Sequence, residues 1–306
     1  MNQGPFNPNQ PPHPEWAKHG IEQTPDQAPA ADLPQHAKER LVQMRQRHFF
    51  TSDLSVNEFL VVKEVGFDPL GLVMGSSIYH VKPVFPMGTP DTGAELIDLT
   101  RALYHSRELA LGRLEEEAEA LGADGVIGVR LEVNLHAWGS NVTEFVAVGT
   151  AVRWRGDDPA AHAYFKTNHG KPFTSDLSGQ DFWTLVRSGY RPVGFVMGNC
   201  CYYVPASTVN RYSGSRLNSE LHEYTHAFYD ARELAMERLQ YEAEQLGAEG
   251  VVGVTVHEKQ HGWGGAQTRF SWRGETIEFF VVGTAVVAFP QQKPIPVPTL
   301  VIEVSE

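Results

Sequence analysis

Cysteine is almost absent from this chain: two occur in 306 residues, and Cys200 and Cys201 are neighbours. Neighbouring Cα atoms lie about 3.8 Å apart and strand side chains alternate faces, so the two do not pair with each other. A disulfide scaffold is excluded, and a reducing cytoplasm is the expected setting. No stretch approaches the roughly 18 consecutive apolar residues of a membrane span. Met1 to Pro14, rich in Asn, Gln and Pro, lacks the apolar core of a secretory signal. Positive charge is also short. The 25 Lys and Arg face 37 Asp and Glu, a net charge of -12, which argues against a nucleic-acid or anionic-membrane partner. There is no Gly-rich loop of Walker type, no C-x-x-C pair and no Ser/His/Asp order that reads as a triad. No catalytic set stands out, so enzyme activity is left open, with a non-enzymatic role the favoured reading.

What the chain does have is an internal duplication. Phe50-Thr51-Ser52-Asp53-Leu54-Ser55 returns as Phe173-Thr174-Ser175-Asp176-Leu177-Ser178, and Gly71-Leu72-Val73-Met74-Gly75 as Gly194-Phe195-Val196-Met197-Gly198. Arg107-Glu108-Leu109-Ala110 returns as Arg232-Glu233-Leu234-Ala235, and Leu121-Gly122-Ala123-Asp124-Gly125 as Leu246-Gly247-Ala248-Glu249-Gly250. Val148-Gly149-Thr150-Ala151-Val152 closes the first series and Val282-Gly283-Thr284-Ala285-Val286 the second. The order is the same throughout. The expected division is a disordered Pro-rich tail at 1–40, one domain copy at 41–155, a polar linker at 156–172, a second copy at 173–289 and a Pro-rich tail at 290–306.

Within a copy, Ser55-x-x-Glu58 and Ser178-x-x-Asp181 read as helix starts, and Gly66 and Gly189 as the stops of short helices. Strands are expected at 70–81 and 193–204, and long helices at 94–121 and 219–246 with Leu and Ala seams. Paired strands follow at 125–136 with 142–154, and at 250–261 with 275–288. The predicted fold class is α+β: two tandem copies of a small domain, each a short helix, a small sheet and one long helix packed on it.

Taken in order, the Gly-Leu-Val-Met-Gly strand, the Arg107-Glu108-Leu109-Ala110 helix, Leu121 to Gly128 and the Gly149-Thr150-Ala151 block resemble the YbjQ-like domain, a family labelled as heavy-metal-binding. The resemblance covers both copies. It implies a small α+β domain that assembles into rings, five-fold in single-domain members, and no settled enzyme activity. Two fused copies cannot tile an odd ring, which leaves an even-numbered ring or two stacked rings.

The candidate side chains fall into three sets. His222-Glu223-Tyr224-Thr225-His226 satisfies H-E-x-x-H on a predicted helix, the pattern in which two His hold zinc and the Glu polarises water. The first copy has Ile97-Asp98-Leu99-Thr100-Arg101 there, and His222 and His226 fall off the apolar seam, so a solvated helix face is preferred. His136-Ala137-Trp138-Gly139 and His261-Gly262-Trp263-Gly264 recur at a strand end, with His257 in phase with His261; these are the better metal candidates. Packing of Trp138 and Trp263 over the sheet end is the bland alternative. Arg107 with Glu108 and Arg232 with Glu233 are the most distinctive retained charges. Arg107 lies at seam spacing, so a buried inter-domain ion pair is expected, with Glu117 or Glu144 as partner. Asp53 and Asp176 are read as turn formers.

Three functions compete at this level. The first is a cytoplasmic, ring-forming homo-oligomer that binds a transition-metal ion such as zinc at its His loops. The second is a zinc hydrolase built on His222, Glu223 and His226. The third is a scaffold whose residues 1–36 recruit a protein partner.

Overall fold

The computed structural model describes residues 33–47, 50–80, 93–135, 142–205, 220–261 and 274–288. The chain begins with α1 (Gln35–Arg47), α2 (Val56–Glu64) and β1 (Phe67–His80). Next come β2 (Ala94–Glu95), α3 (Ile97–Leu121), β3 (Gly125–Leu135) and β4 (Val142–Trp154). A connecting helix α4 (Pro159–Phe165) leads to β5 (Phe173–Thr174), α5 (Gly179–Arg187) and β6 (Tyr190–Pro205). The second copy closes with α6 (His222–Gln245), β7 (Gly250–His261) and β8 (Gly274–Ala288). Each copy is an antiparallel sheet with one long helix across it. The α+β tandem reading holds.

Local chemistry sets the ends of these elements. The Ser55 hydroxyl accepts the Glu58 amide while the Glu58 carboxylate accepts the Ser55 amide, a reciprocal cap on α2. Gly66 and Gly189, at φ 92° and 86°, turn the chain into β1 and β6 in a region that side-chain-bearing residues avoid. The second glycine of the repeated Gly-Leu-Val-Met-Gly block has another purpose. A Cβ on Gly75 would lie 2.0 Å from the Ala110 carbonyl oxygen, and one on Gly198 would lie 1.9 Å from that of Ala235. The long helix of each copy rests its backbone directly on a glycine of the sheet. Around that contact Val73, Leu103, Leu114, Ala118 and Phe145 form the core of the first copy. Val196, Ala231, Leu239, Phe279 and Val281 do the same in the second.

The two copies are not separate. One sheet runs in the order β1-β4-β3-β5 and the other β2-β6-β8-β7, so each recruits a short strand from the opposite copy. Ala94 and Glu95 pair antiparallel with Tyr203 and Tyr202. Phe173 and Thr174 pair parallel with Gly125 and Val126. As a result α3 is clasped between the two sheets, while β7 and β1 lie at sheet edges.

Two boundaries differ from the sequence reading. The tail expected to run to residue 40 gives way at Gln35 to α1, because Leu41 is buried against the first core and Arg40 pairs with Glu117 at 2.6 Å. The expected polar linker contains α4, held by Phe165 in a cluster with Phe67 and Phe173 and by His162, whose ring meets Asp124 and the Gly156 carbonyl. Residues 1–32 and 289–306 lie outside the described residues.

Candidate functional site

Among the described residues, buried polar side chains gather at the junction between the two copies. Arg107 projects from α3 between the two sheets, and its side chain is 1% exposed. Its guanidinium meets the Glu278 carboxylate of β8 and stacks on the rings of Phe280 at 3.9 Å and Phe145 at 5.3 Å. Among the described residues two of its nitrogens, Nε and Nη1, have no hydrogen-bond acceptor; the aromatic faces stand in their place. The partner is therefore neither Glu117 nor Glu144, the carboxylates named from sequence. Glu117 is taken by Arg40 and the Met74 amide. Glu278 is the counterpart of Glu144 one copy along, so the pair crosses the junction.

Other bonds fix the same surface. The Asn199 side-chain amide donates to the Thr100 carbonyl, and the Cys201 amide donates to the Thr100 hydroxyl. The Leu96 amide donates to the Cys201 carbonyl. Glu95 pairs with Arg238 at 2.6 Å, both largely buried. On the opposite side of the junction, the Phe173 amide donates to the Asp124 carbonyl and the Ser175 amide to the Val126 carbonyl. There the Gly128 amide donates to Leu177 and the Val129 amide to Ser175. Phe67 enters from the first copy and packs edge-on against Phe173 and Phe182 of the second. Sequence reasoning missed Glu278, Asn199 and Glu95. The signal for Glu278 was the duplication itself, read with a shift of one copy.

The two cysteines divide across this junction. Cys200 points into the core of its own copy and Cys201 into the core of the first. Burial pushes both thiols above their ordinary range. Glu108 lies on the flank of α3, where burial pushes its carboxyl up to about 7; the His105 ring lies 3.9 Å from it. In the second copy Arg232 is 44% exposed and turns to its neighbour Glu233 at 2.7 Å, over the ring of Tyr229. The duplicated charges thus occupy unlike environments.

The histidines are placed as follows. His222 and His226 are exposed on the first turns of α6, and His222 lies 3.3 Å from Glu220. His257 is exposed on β7 and stacks on Phe280. Its register puts it four residues before His261 on one strand face. His136, both Trp-Gly loops and the side chains of His261 and Glu223 lie outside the described residues. Among the described residues no three His, Cys, Asp or Glu side chains come together as metal ligands. The residues seen therefore do not make up the donor set that a resident metal needs.

A family model described as "Putative heavy-metal-binding" matches residues 68–155 and 206–288, one region in each copy. A Mycobacterium tuberculosis protein named encapsulin nanocompartment protein Rv1762c is 45% identical over 240 residues, which cover 78% of this chain and 85% of that protein. A UPF0145 protein of Halorubrum lacusprofundi is 41% identical over 106 residues, 34% of this chain and 99% of its own length. One from Fervidobacterium nodosum is 37% identical over 91 residues, 29% of this chain and 82% of its own. These last two are similar to a single copy.

Proposed function

Since the chain belongs to the YbjQ-like heavy-metal-binding family, with one copy of its domain in each half, we propose that it is a self-assembling structural protein whose copies close into a ring. The observation that carries this reading is the junction just described. It buries two ion pairs, two aromatic clusters and reciprocal strand exchange between copies of one fold. Surfaces built in that way are association surfaces. The nanocompartment named in the Mycobacterium tuberculosis relative supports the same direction. Each chain brings two domains, so a simple ring holds an even number of them. Native mass spectrometry at micromolar concentration tests the proposal: a whole-number multiple of the 34.0 kDa chain is expected. A single 34.0 kDa particle overturns it.

Metal binding is the second part of the reading, and it rests on the family description together with His136, His257 and His261. Elemental analysis of the purified protein tests it. Zinc, nickel or copper at stoichiometric amount, lost from the His136→Ala/His257→Ala/His261→Ala variant, is the expected result. Equal metal in both proteins, or none in either, removes this part and leaves assembly standing.

A further inference from the structure

Every chain carries the same contact twice, once filled and once open. In the second copy the Thr174 hydroxyl accepts the Phe195 amide, and the Thr284 hydroxyl accepts the Asp176 amide and bonds to the Ser175 hydroxyl. In the first copy Thr51 accepts the Leu72 amide, and Thr150 accepts the Asp53 amide and meets Ser52. The Phe173 ring stacks on Phe182 at 5.9 Å, and the Phe50 ring on Phe59 at 5.5 Å. Residues 50–54 are therefore held on their own copy by the same set of contacts that hold residues 173–177 on theirs. Their surroundings differ. Phe173 is fully buried beneath β3 and Phe67, whereas Phe50 is 44% exposed.

The receiving strand shows the converse. β3 lies between β4 and β5, while β7 is an edge. Val129 on β3 is 2% exposed and its counterpart Val254 is 42% exposed. A Cβ on Gly125 would strike the Phe173 ring at 2.1 Å, whereas no described atom lies within 4 Å of one on Gly250. The counterpart of the inserted Phe67 is Tyr190, which is exposed. On the face of the other sheet, Met197 and Cys201 are covered by α3, and their counterparts Met74 and Ile78 are 49% and 60% exposed. An open strand edge of this kind, apolar over most of residues 250–256, is a template for another chain. Both open halves have the shape of the filled one.

We propose that the β7 edge of one chain receives residues 50–54 of a second copy of this chain, in the parallel register by which β3 receives residues 173–177, joining chains head to tail. This names the contact of the self-assembly reading above and rests on it. Phe50 then sits opposite Gly250 and Thr51 opposite Val251. The Ser52 amide donates to the Val251 carbonyl, and the Val254 amide donates to the Ser52 carbonyl. Arg232 occupies the place of Arg107 and faces Glu144 of the second copy, where Glu278 stands in the filled junction. A heterologous contact of this kind generates a ring when its rotation closes.

Two variants test it. Gly250→Val adds a side chain where the chain itself has open space, so the variant stays folded, with the wild-type far-ultraviolet circular dichroism spectrum. The native mass falls from the assembled multiple to 34.0 kDa, because the added methyls occupy the site of the Phe50 ring. Thr51→Cys/Val251→Cys places thiols opposite each other in a paired register, within reach of a disulfide, and mild oxidation links separate chains into a ladder on a non-reducing gel. Val126→Cys/Thr174→Cys is the control that closes within one chain, and the native Cys200 and Cys201 are buried. If the wild type assembles but Gly250→Val keeps its mass, or the Thr51/Val251 pair links within a chain or not at all, this contact is wrong and assembly uses another surface. If the wild type is itself a 34.0 kDa particle, both readings fall.

Discussion

Arg107 and Glu278 show what a buried charge demands of its neighbours. Each side chain is almost wholly withdrawn from water, and desolvating two ions is offset only when their geometry and surroundings are favourable. Removing one of them leaves the other unpaired in the junction. Glu278→Ala is therefore expected to lower unfolding stability by about 3–5 kcal/mol, measured by urea denaturation. Glu233→Ala, at an exposed pair, should cost less than about 1 kcal/mol. Glu117 and Glu242 are a second instructive pair. Both accept the amide of the methionine in the repeated strand, from Met74 and Met197. Arg40 joins Glu117, whereas among the described residues Glu242 has no cation beside it and burial pushes its carboxyl up to about 8. The folded state then holds the Glu242 proton more tightly than the unfolded chain, so stability declines as pH rises from about 4.5 to 8. Glu242→Gln keeps an acceptor for Met197 and should flatten that decline. Thermal midpoints at pH 5 and pH 8.5 check it: the wild type loses more than the variant, and equal losses would contradict the assignment.

At the scale of elements, the glycines of the repeated strand block were legible as a pattern but not as a cause. Gly75 and Gly198 recur because a helix backbone lies on them, a fact of packing that no spacing announces. Gly75→Ala should cost about 1–3 kcal/mol by overpacking. Gly112→Ala, in the middle of α3 with no described atom within 4 Å of the new Cβ, should stabilise by up to about 1 kcal/mol. Denaturant titration of the two variants separates them by sign. The cap of α2 was readable, since Ser55 and Glu58 are three residues apart and bond to each other's backbone, though the Glu58 carboxylate also accepts the Gly179 amide of the second copy; Ser55→Ala is expected to cost about 1 kcal/mol. Strand pairing was readable only in part. β3 and β4 follow from proximity in sequence, whereas β2 and β5 are two-residue strands that carry too little pattern to register.

For the whole molecule, the duplication told how many domains to expect and the resemblance told which kind. Neither told that α3 lies between two sheets while α6 keeps one flank open. Cys201 and Ile78 illustrate the difference: they occupy equivalent strand positions, and one is buried while the other is 60% exposed. Composition made Arg107 and Arg232 look alike for the same reason. Removing residues 1–47 takes away Leu41 and the Arg40 partner of Glu117 and should lower the thermal midpoint by several degrees, as calorimetry would show.

Patterns that depend on neighbours along the chain were decided before folding. Helix starts, glycine stops, the Leu and Ala seams and the repeat itself all rest on hydrogen bonds and periodicities a few residues long. What depends on the partner across a gap was decided only by the tertiary structure. The choice of Glu278 over Glu117 or Glu144, the exchange of short strands and the contrast between a covered and an open copy of one surface all join residues from different copies, far apart in the chain, and identical motifs do not say which of two copies meets the other.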